Sequence, residues 1–140
     1  MEPERIERLL GVVVWWARRR SDIRGVALVG SWARGAARPD SDVDLVVLTD
    51  RPGPYVTGEG WTAELGVTRV VRTRAWGPLT ERRLLFEDGL ELEVGVVPPT
   101  WAATGPVDPG TRKVVTDGMR ILHDPEGLFG ALERACRSSG

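Results

Sequence analysis

Residues 26–48, VALVGSWARGAARPDSDVDLVVL, place a small-residue loop with a Gly30-Ser31 turn and the acids Asp42 and Asp44 between two aliphatic runs. Ile23 to Val29 and Val43 to Leu48 are short, apolar and bounded by turn residues, the pattern of buried strands. Successive strand residues face opposite sides of a sheet, so Asp42 and Asp44 point one way while Val43 and Leu45 point the other. Two like charges on one face repel, and the same face continues into apolar Val46 and Leu48. The acids therefore stand at the rim of a buried strand, where a cation belongs between them. Oxygen ligands on a rigid strand suit Mg²⁺.

Three plainer readings compete. A calcium loop would use Asp40, Asp42 and Asp44 at alternating positions, but its turn glycine would be Leu45 and its closing glutamate Arg51, so it fails twice. The Gly, Pro, Asp and Ser residues could simply make turns of a surface loop. The acids could also pair with Arg34 and Arg38. Each of the last two accounts for half of the segment, and neither accounts for the joint spacing: Gly-Ser, ten residues, then Asp-x-Asp, with an apolar strand on either side.

That spacing resembles the signature of the DNA polymerase beta type nucleotidyltransferase superfamily, in particular its small single-domain (minimal) members. The resemblance is specific over Val26 to Leu48 and general elsewhere. It implies an α/β (α+β) nucleotidyltransferase fold, a mixed β-sheet flanked by helices. It further implies that Asp42, Asp44 and a third carboxylate from a later strand bind two Mg²⁺ ions. Gly30, Ser31, Arg34 and Ser41 would bind the nucleotide, with Gly30 letting the backbone approach the phosphates. The segment LELEVGVV supplies the third acid twice, as Glu91 and Glu93 on one strand face. Glu93 is preferred because apolar strand follows it and Gly95, next on its face, leaves room for a nucleotide; Glu91 is the fallback. Many relatives carry aspartate there, so glutamate is a departure. The larger relatives also carry an added helical domain that 140 residues do not accommodate.

The length suits a single domain over residues 1–140 with its own core. With 19 basic and 20 acidic side chains the formal charge is −1, so the chain lacks the basic field that draws proteins onto polynucleotides. Eighteen of the 19 cations are arginine, a bias that GC-rich coding explains as well as phosphate binding does. Cys136 and His123 are each the sole residue of their type, which excludes an internal disulfide and a His/Cys zinc site and leaves carboxylates as the plentiful metal ligands. LLGVVVWWA is too short to cross a bilayer, and the residues before it carry more acid than base. Neither a membrane span nor a secretory leader is read here, and the expected location is the cytoplasm.

Elsewhere, Ile6, Leu9, Leu10, Val13, Trp16 and Ala17 follow helical spacing over Pro3 to Arg20. Val12, Val14 and Trp15 lie off that stripe, from a wide buried face or a partner contact. A short helix is expected around Trp61 to Leu65. A second group of strands should run from Val67 to Val97, with Asp88-Gly89 as a hairpin turn. Asp108-Pro109 and Asp124-Pro125 read as caps opening helices near 109–117 and 125–137. His123 reads as a loop residue and Trp32 as packing for the short helix after Gly30. Trp101 lies in a Pro/Gly-rich loop, where lining an acceptor pocket is one of its readings.

The function expected is Mg²⁺-dependent transfer of a nucleoside monophosphate, AMP from ATP in the first instance, to an acceptor hydroxyl on a small molecule or a protein. A homo-oligomer or a helical partner protein could complete acceptor recognition. Two alternatives stand: an antitoxin that adenylylates a helical toxin, and a catalytically inactive nucleotide-binding module. Retention of every candidate acid weighs against the second.

Overall fold

The computed structural model describes residues 1–138. Helix α1 (Pro3–Arg18) leads into strand β1 (Ile23–Val29), the single-turn helix α2 (Gly30–Ala33) and strand β2 (Val43–Thr49). Helices α3 (Gly53–Thr57) and α4 (Gly60–Glu64) precede strands β3 (Arg69–Trp76), β4 (Leu79–Leu85) and β5 (Glu91–Val97). A 3₁₀ turn (Pro99–Ala102), helix α5 (Pro109–Asp117), strand β6 (Met119–His123) and helix α6 (Leu128–Ser138) follow. The strands form one six-stranded sheet ordered β3-β4-β5-β2-β1-β6. β2 and β5 are parallel and every other neighbouring pair is antiparallel. This is the mixed sheet of an α+β fold that the motif implied.

The alternation of each strand divides the molecule into two layers. On one face, Val26, Leu28, Val43, Leu45, Leu92 and Val94 pack against the α1 stripe and the aromatic group Trp16, Tyr55 and Trp61. The six α1 residues singled out by their spacing are all buried, whereas Val12 and Trp15 are exposed. On the other face, Ala27, Val29, Val46, Leu48 and Val97 pack with Val115, Phe129, Leu132 and Cys136 of α5 and α6. Because these two helices lie over β1, the same face of β4 and β5 opens into a cleft.

Local chemistry sets several boundaries. Asp108 accepts hydrogen bonds from the Gly110 and Thr111 amides at 2.9 and 3.2 Å and caps α5, with Pro109 at its first position. Asp124 also caps a helix, but not the one expected at residue 125. Its carboxylate reaches across the turn at Pro125 to Gly127 and accepts from the amides of Phe129 and Gly130 at 3.0 and 2.9 Å, so α6 starts at Leu128. Residues 119–123 pair with β1 and make β6, so His123, expected in a loop, ends that edge strand instead. The stretch after Thr49 holds two short helices where one was expected. The Asp88-Gly89 turn joins β4 to β5 as foreseen, with Gly89 at φ +90° and the Phe86 amide donating to the Leu90 carbonyl.

Candidate functional site

The parallel register of β2 and β5 sets Asp44 directly beside Glu93, and the antiparallel register of β4 and β5 sets Arg83 on the other side of Glu93. Asp42 lies one step before β2, at the mouth of the strand. The four side chains meet. A single Arg83 nitrogen, Nη2, donates to Asp42 Oδ2 at 2.9 Å and to Glu93 Oε1 at 2.8 Å, and Arg83 Nη1 donates to Glu91. Arg72 on β3 adds a second guanidinium, 3.1 Å from Glu81 and 3.6 Å from Glu93.

Gly30 is fixed by this arrangement. Its φ is +74°, and a Cβ built there would lie 2.3 Å from Asp44 Oδ2. The glycine therefore admits a close approach of backbone and carboxylate that no side chain would permit. This adds a second reason for the residue beside the room for phosphates inferred from sequence.

Asp44 feels the crowding most. Burial, the hydrogen bond it shares with Glu93 and the charges of Glu93 and Asp42 push its pKa up to about 7, against the opposing charge of Arg83. Burial works against the charge of Arg83 as well, yet its hydrogen bond to Asp42 and the charges of Glu93, Asp42 and Glu91 outweigh that and raise its pKa.

Among the described residues no three carboxylate, histidine or cysteine side chains stand as a ready metal cage. At the centre of the cluster the Arg83 guanidinium bridges Asp42 and Glu93 instead. The donor set still fits a divalent cation: Asp42 and Glu93 turn hard oxygen donors toward one positive group, and Asp44 lies beside Glu93, its pKa raised by burial and by the neighbouring acids. Asp42, Asp44 and Glu93 are the residues that could hold it.

The cluster borders a cleft of about 260 Å³, whose walls include Gly30, Arg34, Asp44, Glu93, Gly95 and Trp101. Of the sequence candidates, Gly30, Arg34, Asp44 and Glu93 are thereby brought to one place, with Asp42 joined to them through Arg83. Ser31 and Ser41 do not line this cleft. The Ser41 hydroxyl accepts from the Arg38 amide at 2.8 Å and its carbonyl accepts from Trp32 Nε1 at 3.3 Å, so Ser41 shapes the loop. Glu91 borders a separate depression with Asp42 and the Gly89 turn. Gly95 lines the cleft, but Leu79 fills part of the room expected there, since an added Cβ would lie 3.2 Å from Leu79 Cδ1.

Asp42 pairs with Arg83, not with Arg34 or Arg38. Arg83 is the residue that sequence reasoning missed. Its signal lay in the alternation of LTERRLL, which puts Glu81 and Arg83 on the face opposite Arg82 and Leu84.

A family model described as the nucleotidyltransferase domain matches residues 16–117. Among solved structures, an aminoglycoside 6-adenyltransferase from Bacillus subtilis aligns with a TM-score of 0.51 at 17% identity, over 67% of this chain and 35% of that one. A cytoplasmic RNA terminal U-transferase aligns with a TM-score of 0.50 at 19% identity, over 66% of this chain and 28% of that one. At such identities the likeness concerns the fold, and this chain spans about a third of the length of either protein. No curated protein sequence matches it. No helix among the described residues is long and apolar enough to cross a membrane.

Proposed function

Since the chain belongs to the nucleotidyltransferase domain family, whose model spans residues 16–117, we propose that it transfers a nucleoside monophosphate from a nucleoside triphosphate, ATP in the first instance, to an acceptor hydroxyl. The acceptor hydroxyl gives up its proton to solvent, the new bond joins its oxygen to the α-phosphorus, the bond from that phosphorus to the bridging oxygen breaks, and pyrophosphate leaves. The observation that carries this reading is that Arg83 bridges Asp42 and Glu93 while Asp44, hydrogen-bonded to Glu93, stands beside the Gly30 turn.

Asp42, Asp44 and Glu93 would hold two divalent cations, Mg²⁺ in this reading. When bound, these supply the Lewis acidity that activates the acceptor hydroxyl and steadies the triphosphate. The register of β2 and β5 holds Asp44 and Glu93 side by side on paired strands, which favours precise positioning. Gly30 keeps the wall beside Asp44 free of side chain. Arg34, exposed on the rim of the cleft, can pair with phosphate oxygens. Ser31 and Ser41 contribute to the loop that carries Arg34 and Asp42. The acceptor, a small molecule or a protein, approaches from the open side of β4 and β5, and a cytoplasmic setting with nucleoside triphosphates in supply suits the reading.

The test is incubation with α-labelled nucleoside triphosphates and Mg²⁺ alongside candidate acceptors. The expected result is label on an acceptor with matching pyrophosphate release, lost in Asp44→Asn. Absence of both label transfer and pyrophosphate with every nucleotide, in a protein that binds them, would favour the inactive nucleotide-binding module.

A further inference from the structure

We propose that the cleft between Trp76 and Trp101 is the subsite for the base of the nucleotide, an aromatic heterocycle held by stacking. This rests on the nucleotidyl-transfer reading and adds to it the side of the site on which the nucleoside lies.

The cleft has a volume of about 650 Å³ and is walled by Trp76, Pro78, Leu79, Trp101, Thr111 and Val114. Leu79, Trp101 and Val114 are also walls of the carboxylate cleft, so the two spaces are contiguous. A ligand with a polyanionic end and a flat apolar end is what such a pair of spaces accommodates. The size lies within the range of small-molecule sites, enough for a base with its ribose.

Three elements build it. The tight β3–β4 turn, Gly77 and Pro78 with Gly77 at φ +62°, presents Trp76, which is 56% exposed and has the Arg74 guanidinium 5.5 Å from its ring centroid. The 3₁₀ turn after β5 presents Trp101. Helix α5 closes the third side and is tied to that turn, because the Thr111 hydroxyl donates to the Trp101 carbonyl at 3.1 Å. The wall holding Trp101 is thus fixed before a ligand arrives, and an exposed indole faces it from a hairpin tip.

The charge of the walls narrows the occupant. Asp108 is the one acid among the described lining residues, and its carboxylate is engaged in capping α5. A polycationic acceptor would meet a single carboxylate here, one whose Oδ2 already caps α5. A neutral aromatic ring finds two indoles and an aliphatic floor, and stacking on such groups accepts any base.

The experiment is calorimetric titration of ATP, inorganic tripolyphosphate and adenosine, each with Mg²⁺, into wild type, Trp76→Ala, Trp76→Phe and Trp101→Phe. Trp76→Ala is expected to weaken ATP and adenosine about tenfold and to leave tripolyphosphate unchanged, while Trp76→Phe retains most of the affinity. Unchanged ATP and adenosine affinity, whether or not an acceptor's KM rises, would overturn the assignment. Equal weakening of ATP and tripolyphosphate would do so too, because the tryptophan would then act only through the fold. Adenosine binding that depends on Trp76 in a protein that ignores tripolyphosphate would uphold the subsite and defeat the phosphate reading, so the two claims fail separately.

Discussion

Arg82 and Arg83 are chain neighbours on β4, yet they face opposite sides of the sheet and meet opposite chemistry. Arg82 is 4% exposed and has no carboxylate among its hydrogen-bond partners. Its guanidinium donates to the carbonyls of Tyr55 and Gly58 and to the Thr73 hydroxyl, tying α3 to the sheet. Arg83 meets Asp42, Glu91 and Glu93. One face of the sheet spends a buried charge on fastening backbone. The other concentrates acids around a cation at an open cleft. Structure and site chemistry are therefore separated by the strand's two-residue period, and substitutions on the two faces should fail in different ways.

The largest effect is expected from Asp42→Asn with Asp44→Asn. Transfer of label from a nucleoside triphosphate should fall by at least about a thousandfold, the scale of several kcal/mol of cation-supplied stabilisation, while the melting transition stays cooperative. On the sealed face, Leu92→Ala removes a fully buried side chain. It should cost about 2–5 kcal/mol in chemical denaturation and leave the activity of the folded fraction intact. A loss of activity without loss of stability there would erase the distinction between the faces.

The arginine pair sharpens it further. Arg82→Ala leaves two carbonyls without their donor and should destabilise by about 1–3 kcal/mol per orphaned group, with no relief from Mg²⁺. Arg83→Gln leaves the acids without their counter-ion. Its melting temperature should drop without metal and recover with Mg²⁺, and it should bind Mn²⁺ more tightly than wild type. Weaker Mn²⁺ binding would make Arg83 a positioning residue for the carboxylates and not a stand-in for the ion.

The smallest effect concerns pH. Asp44 has its folded pKa raised to about 7 from 3.8, so the folded state binds more protons than the unfolded one between these values. Stability from this group is present at low pH and declines as pH rises from about 4 to 7. A melting series in wild type and Asp44→Asn should show that decline only in wild type, and Mg²⁺ at pH 7 should offset it. A wild-type slope of the other sign would mean that Asp44 ionises freely.

Much of this division could be read before the structure. The α1 stripe is legible from its helical spacing, strands β1 and β2 from short apolar runs bounded by turn residues, and Gly30, Asp42 and Asp44 stand out by their joint spacing. Glu93 was favoured over Glu91 from the strand that follows it, and its place beside Asp44 adds a register that no local pattern encodes. Strand β6 escaped notice because MRILH is short, lies at the edge and is only partly buried, so its pairing with β1 is a tertiary fact. The late start of α6 follows from Asp124 reaching over a turn, which an Asp-Pro pair does not announce. Arg83 was hidden for a similar reason: its face is readable from alternation, but its three carboxylate partners come from residues up to 41 positions away.

The central claim is that Asp42, Asp44 and Glu93 form a divalent-cation site at the place now held by the Arg83 guanidinium. Anomalous diffraction from crystals grown with Mn²⁺ and a non-hydrolysable ATP analogue tests it most directly. The account predicts manganese peaks within coordination distance of all three carboxylates, with Arg83 drawn away from Asp42 and Glu93. Ordered nucleotide with Arg83 still bridging those two acids, and no manganese among them, would contradict it.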